Sequence, residues 1–195
     1  AALASRAGFT PTCHLFASSV DVVRFDETPF LGVLTQLEQA GLRFCSVADF
    51  GDDVAARKRL YALNSTTGRD IPGFEVPEAP YEDFEKWVCG SRWYRPDGQL
   101  LAVDGDRWVG LCTIQLLPEA KKAYNVMTGV LPEYRGRRIA LALKVLGIRY
   151  SRDNGAIQLD TNNASTNAPM LAVNRRLGYV PRPGKYLLAK VIPSE

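Results

Sequence analysis

The residues best placed to do chemistry lie just after a strand-like run that ends at Val130. They read Leu131-Pro132-Glu133-Tyr134-Arg135-Gly136-Arg137-Arg138-Ile139-Ala140. From Ile139 onward, Ile139, Leu143, Leu146 and Tyr150 recur at helical spacing. The first turn of a helix has unpaired N–H groups and a partial positive charge, so it binds phosphate through its backbone. Three arginines there repel the dipole of a bare helix, and a bound polyanion would relieve that repulsion. Arg135, Gly136, Arg137, Arg138, Ile139 and Ala140 are therefore read as an anion-binding turn. A basic surface turn is the alternative reading.

A second polar series follows: Thr161, Asn163, Asn167 and Asn174, with Met170, Val173 and Leu177 as the apolar face of a helix that Gly178 ends. Asn167 is placed to cap that helix. Asn174 lies seven residues on, on roughly the same face. Taken singly, each amide reads equally well as a cap or an exposed side chain. Beside an anion loop they read together as ligand contacts.

Other catalytic schemes find little support. Cys13, Cys45, Cys89 and Cys112 are widely spaced, without the CxxC pairs of a zinc site, and read as reduced, buried thiols. His14 is the only histidine, so any Ser-His or Cys-His mechanism would need it.

These residues need elements to position them. The 195 residues are 46% hydrophobic and 23% charged, which fits one folded domain and argues against disorder. Strands are expected at Val20–Phe25 and Leu42–Val47. Helices are expected from Thr28-Pro29, with Thr28 as cap, and from Asp52 or Asp53 to Leu63, with Val54, Leu60 and Leu63 inward. A loop at Asn64–Pro80 precedes a short helix, Tyr81–Val88, with Phe84, Trp87 and Val88 facing in. A meander follows: Gly98–Val103, an Asp104-Gly105 turn, Arg107–Leu116, a turn at Pro118–Lys121, then Ala123–Val130. The remainder reads as helix from Arg135, strand Ala156–Thr161, helix Pro169–Leu177 and strand Tyr186–Ile192. This succession implies an α/β fold with a mixed sheet. No run reaches the roughly 20 apolar residues of a membrane span, and no signal peptide is expected from the opening residues. The chain does not begin with Met, so a fragment or processed product is expected, as is a cytoplasmic location.

The segments Val130-Leu131-Pro132, Tyr134-Arg135-Gly136 and Ile139-Ala140-Leu141-Ala142-Leu143 resemble the signature of the GNAT superfamily of N-acyltransferases. That signature is Arg/Gln-x-x-Gly-x-Gly/Ala after a strand ending in Val-x-Pro. The Thr161…Asn163…Asn167…Met170…Asn174…Leu177-Gly178-Tyr179 series resembles the strand and helix that follow it in many members. The resemblance covers about residues 97–192. It implies an α/β fold of the α+β type, with a mixed, mostly antiparallel central sheet flanked by helices. It also implies acetyl-CoA as co-substrate and direct attack of an amine on the thioester. By the same resemblance, backbone groups of Thr128, Gly129 and Val130 would pair with the pantetheine arm. Backbone N–H groups from Arg135 to Ala140 would hold the pyrophosphate, and Asn163, Asn167 and Asn174 would contact the cofactor.

Two positions depart from the family pattern. Arg138 stands where the family usually has its middle Gly; it either hinders backbone approach or adds a charge to the phosphates, since a helical φ does not require Gly. Asn174 stands where many members carry a Tyr acid, with Tyr186 or Tyr179 as substitutes. Tyr124 stands where some members carry a Glu base. Tyr124, Tyr186 and Asn174 are thus the candidate catalytic residues, and water-mediated proton loss is the default.

The acidic run Asp70, Glu75, Glu78, Glu82, Asp83 with Phe74, Tyr81, Trp93 and Tyr94 suits a cationic acceptor, so a small-molecule amine is expected. A protein or peptide amine, or a catalytically weak acyl-CoA-binding domain with a structural or regulatory role, are the alternatives. Nucleic acid and membrane are not expected as partners. Leu3-Ala4-Ser5-Arg6-Ala7-Gly8-Phe9 resembles the end of a GNAT helix. Residues 1–20 are therefore read as the remnant of a preceding GNAT domain and 21–195 as the acetyltransferase domain; a helix turn and strand of the same domain is the other reading. A preceding GNAT domain or a second copy of the chain is the expected protein partner.

Overall fold

The computed structural model describes residues 2–72 and 79–190, without the side chain of residue 2. A short helix, α1 (Ala2–Arg6), leads through Gly8 into strand β1 (Thr10–Asp21). The strand stops at Asp21 because its carboxylate accepts the N–H groups of Val23 and Arg24. The strand expected at Val20–Phe25 is thus the tail of a longer one and a turn. Helix α2 (Thr28–Gln39) starts as expected, but Thr28 does not cap it. The cap position is Glu27, and Asp26 accepts the Thr28 N–H instead.

Strand β2 (Leu42–Ser46) leads to helix α3 (Val54–Gly68), which Asp53 caps by accepting the N–H of Ala56. The helix outruns the expected end at Leu63 by more than a turn. Thr67 donates to the Leu63 carbonyl and is buried, so the polar tail is held rather than frayed. Val54, expected inside, is 56% exposed. After the undescribed residues 73–78, α4 (Tyr81–Phe84) continues as a wider turn over Glu85–Cys89. Phe84 packs on the core, but Trp87, expected inward, is 67% exposed.

The meander forms as read: β3 (Gln99–Asp104), β4 (Arg107–Leu117) and β5 (Lys122–Val130). Then come α5 (Ile139–Asp153), β6 (Gln158–Ala164), α6 (Ala168–Arg176) and β7 (Val180–Ala189). Val191 and Ile192, read as strand, lie outside the described residues. The strands make one sheet in the order β2-β3-β4-β5-β6-β1-β7, antiparallel except for β5 with β6.

Strand β1 lies between β6 and β7: Ser18 pairs with Thr161 on one side, and Ser19 with Val180 on the other. Residues 10–21 complete this sheet, and a boundary after residue 20 cuts through its pairing.

Helices α3 and α5 cover opposite faces. Gly129 turns toward Thr67 of α3, while Gly110 turns toward Ile139 and Leu143 of α5. Helix α5 sits close to β4 because Gly147 faces Cys112 and Ile114. Arg149 of α5 donates to Glu27 at the start of α2, which joins the two helices on that face. Gly147→Val is expected to lower the unfolding free energy by about 1–3 kcal/mol through overpacking, read from the urea midpoint. An unchanged midpoint would mean that α5 has room to lift.

Candidate functional site

Strands β5 and β6 pair only from Lys122↔Gln158 to Asn125↔Thr161. Beyond that point both continue, but they no longer pair. The cause is local. The register of β5 with β4 jumps from Thr113↔Met127 to Ile114↔Asn125, which leaves Val126 as a bulged residue. A bulge bends its strand and disrupts the ladder there. The Asn125 carboxamide holds the bulge, donating to the carbonyls of Thr113 (3.2 Å) and Met127 (2.8 Å). The hydroxyl of Thr161 donates to the Asn125 carbonyl (3.1 Å) and closes the vertex of the split. The β6-facing edge of Thr128, Gly129 and Val130 is therefore open to an extended ligand.

The loop 131–138 stands at the mouth of the split. Gly136 (φ 76°) and Arg138 (φ 67°) are both left-handed, and the helix proper begins at Ile139. The arginines thus precede the first turn rather than occupy it. Arg138 needs the conformation that Gly adopts freely, which a helical φ does not explain. From Gly136 through Leu141, no backbone N–H has an acceptor among the described residues. An arc of N–H groups at the positive end of a helix has the donor geometry and dipole that suit an anion.

The three arginines have different duties. Arg135 donates to the Val130 carbonyl (3.0 Å) and to Asp70 (2.5 Å), so it ties the loop to the end of α3. Arg137 lies over the Tyr134 ring, 5.2 Å from its centre. Arg138 lines a cavity of about 530 Å³ together with Thr128, Gly129, Ile139, Asn167 and Val173.

A second cavity, about 370 Å³, follows at the vertex. It shares Ile71, Thr128, Asn167 and Met170 with the first. Tyr124 lines it and accepts a hydrogen bond from the Asn162 amide at 2.7 Å. Burial pushes the Tyr124 phenol up, against the Asn162 bond, so it stays protonated and is no base near neutrality.

Asn167 lines both cavities and caps α6 through the Met170 N–H (3.2 Å). Asn163 lines the second cavity and accepts from Asn174 at 2.6 Å. Asn174 itself is only 2% exposed and lines neither cavity, and its side-chain Oδ1 has no hydrogen-bond partner among the described residues. Tyr186 is turned away from the cleft. It is 63% exposed and stacks on His14 at 4.3 Å, whereas its neighbours Lys185 and Leu187 line the cavity. Tyr179 is buried and its hydroxyl is also unpartnered.

The acidic run does not assemble as one face. Asp70 is bound to Arg135, Tyr81 donates to Glu85, and Tyr94 donates to Asp52. Phe74, Glu75 and Glu78 lie outside the described residues. Cys89 and Cys112 are buried, while Cys13 and Cys45 are half-buried. Among the described residues no group of acids, histidines and cysteines could hold a metal, and no helix is long and apolar enough to cross a membrane.

One residue escaped the sequence reading. Lys144, on α5, is 2% exposed and lines the second cavity. Its signal was present: Leu141, Lys144, Val145 and Ile148 stand at i, i+3, i+4 and i+7 on the buried stripe, with a cation in the middle.

The model of the family described as "Acetyltransferase (GNAT) family" matches residues 58–179. A mycothiol acetyltransferase of Pseudarthrobacter chlorophenolicus is 35% identical, over 65% of this chain and 53% of that protein. One from Segniliparus rotundus is 33% identical, over 45% of this chain and 35% of that protein. The chain spans about half the length, or less, of the curated relatives it matches. A GCN5-related N-acetyltransferase from Sphaerobacter thermophilus superposes with a TM-score of 0.67 at 23% identity, over 96% of this chain and 54% of that one. A tandem GNAT protein from the clavulanic acid biosynthesis pathway gives 0.64 at 20% identity, over all of this chain and 59% of that one. At those identities the likeness is one of fold.

The left-handed Arg138 generates a prediction independent of any ligand. A non-Gly residue there is strained by about 1–2 kcal/mol. Arg138→Gly is therefore expected to raise the unfolding free energy by about 1 kcal/mol, after the added freedom of Gly in the unfolded chain is set against that relief. A lower urea midpoint would show that the Arg138 side chain contributes more than its backbone loses.

Proposed function

The chain belongs to the GNAT family of acetyltransferases, and from that premise we propose that it moves an acetyl group from acetyl-CoA to the primary amine of a small molecule. The observation that carries the proposal is the split between β5 and β6, with the arc of free N–H groups at its mouth. Acetyl-CoA supplies an acyl group already activated as a thioester. The N–H groups from Gly136 to Leu141, with Arg138, would take the pyrophosphate. The open edge of Thr128–Val130 would pair with the pantetheine arm. Asn167, which lines both cavities, would contact that arm where they join.

The acceptor would approach from a third hollow of about 490 Å³, lined by Ser18, Tyr124, Asp160, Asn162 and Arg182. The Asp160 carboxylate there already faces Lys122 at 3.9 Å and accepts from Gln158 at 2.6 Å, so an incoming ammonium would have to share it, and the hollow gives water a route for the proton that the amine must lose. Direct attack in a ternary complex is favoured over a covalent acyl-enzyme. Cys112, the thiol beside the vertex, is fully buried, and burial pushes it above its ordinary value, away from the reactive thiolate. The name of the relatives makes mycothiol-type molecules the first acceptors to test. A cytoplasmic location accords with acetyl-CoA as co-substrate. A preceding GNAT domain is the first protein partner to look for, since one structural neighbour is a tandem protein.

One observation favours a second reading, a domain that binds acyl-CoA without efficient turnover. The position where many members keep an acid is Asn174, sealed against Asn163.

Acetyl-CoA is expected to bind by calorimetry. Arg138→Glu should weaken it at least about tenfold, or roughly 1.4 kcal/mol, because it sets an anion beside the phosphates. Unchanged affinity would refute the placement of the pyrophosphate. Thiol release with a panel of small amines, mycothiol-type molecules and peptide amines should single out the small molecules. Binding without turnover on any amine would leave the binding-only reading in place.

A further inference from the structure

We propose that Lys144 is the proton donor to the leaving thiolate, held at the vertex of the β5–β6 split, where its side chain lines the second cavity. The inference rests on the transfer reaction proposed above and assigns the acid that Asn174 does not supply.

The first argument is the state of the cation. An ammonium has three N–H donors. Among the described residues only one is used, toward Asn125 Oδ1 at 2.5 Å. Among the described residues no carboxylate pairs with Lys144; the Tyr179 ring face lies 4.9 Å from Nζ, and the Cys112 thiol also interacts with it electrostatically. A buried cation without a counter-ion is unfavourable, and an apolar side chain would serve the packing better. Leu141, Val145 and Ile148 on the same buried stripe show what packing alone selects. The two unused donors have the cavity in which to find an acceptor.

The second argument is position. Asn125 is the last β5 residue paired with β6, and Lys144 is bonded to its side chain. From Val130 at the mouth to Asn125 is about 16 Å of strand, at roughly 3.3 Å per residue. An extended phosphopantetheine arm paired along that edge would bring its sulfur toward the vertex.

The third argument is the surrounding charge. Cys112 on β4, Tyr124 on β5 and Tyr179 after α6 are all pushed up and stay neutral. Lys185 on β7 lines the same cavity and adds positive potential, and Asp160 on β6 faces the acceptor hollow. The vertex is therefore positive overall and suits a sulfur that is gaining an electron pair. Burial brings Lys144 down to about 8. A thiol titrates at about 8.5, so proton transfer between the two is close to balanced.

The step balances. The neutral amine nitrogen attacks the carbonyl carbon and the C–N bond forms. The C–S bond breaks, and sulfur keeps its electron pair and takes a proton from Lys144. The proton that nitrogen sheds on becoming an amide, carried by water, restores the ammonium.

The test needs no acceptor. CoA is bound to the full chain at saturation and its thiol is titrated through the ultraviolet absorbance of the thiolate. In the wild type the thiol is expected to ionise about one pH unit lower than in free CoA, because an ammonium beside it favours the anion. In Lys144→Met the shift should vanish while acetyl-CoA affinity stays within about threefold. In Lys144→Arg it should persist. Wild-type thiol that titrates like free CoA would overturn the inference whether or not the Met variant folds. An acetyl group found on Lys144 by mass spectrometry would overturn it too, since the amine would then be a nucleophile. Failure of the wild type to bind CoA would instead refute the reading on which the inference rests.

Discussion

The Asn125 carboxamide sets the shape of the site. Its amide nitrogen holds two carbonyls across the bulge at Val126, and its oxygen accepts from Thr128 and Lys144. A strand with an extra residue must bend, and here the bend takes β5 out of register with β6. Without the bulge, β5 and β6 would stay paired for several more residues and no edge would be open. Every group that the proposed binding mode uses depends on that gap: the strand edge at Thr128–Val130, the loop at its mouth and the lysine at its vertex.

In the proposed binding mode, recognition of the anion would rest mainly on backbone. Of the three arginines, Arg135 braces the loop against Asp70 and Val130, and Arg137 rests on Tyr134. The N–H arc does not depend on side-chain rotamers, so it is preorganised once the loop is folded. Its position depends in turn on how closely α5 packs. Glycines at 110 and 147 let the helix lie against β4, and Arg149 pins its far end to Glu27. The fold therefore spends small residues on distance and charged residues on bracing.

Much of this was legible in the residue pattern. The meander and the β5–loop–α5 unit read correctly because alternation, turn residues and the 3.6 period agree there. Helix α3 ran past its expected end because the deciding contact, Thr67 beneath Gly129, is tertiary. Val54 and Trp87 came out exposed for a similar reason: helical spacing tells which residues share a face, not how far that face is covered. The arginine loop was expected to be helical from Arg135 but becomes so only at Ile139, since the left-handed turn at Arg138 lacks the glycine that would signal it. At the site, the Asn167 cap was local and therefore visible. The sealing of Asn174 by Asn163 and the outward turn of Tyr186 depend on strand β1, whose place in the sheet is set by pairings far apart in sequence.

Strand β1 also bears on how the two sides of the cleft are kept apart. Leu15 lines the second cavity, while Ala17 and Ser18 line the acceptor hollow. Both hollows also include Tyr124, Thr161 and Asn162, so the wall between them is a few side chains thick. A donor on α5 and an acceptor at Asp160 would then face each other across that wall. The proton that the acceptor's ammonium loses before attack would leave by the acceptor side, while the proton gained by sulfur comes from Lys144 on the other. Separate proton routes avoid asking one group to be base and acid in a single step, a demand that neither Tyr124, protonated and bonded to Asn162, nor Asn174, sealed and without a titrating proton, could meet.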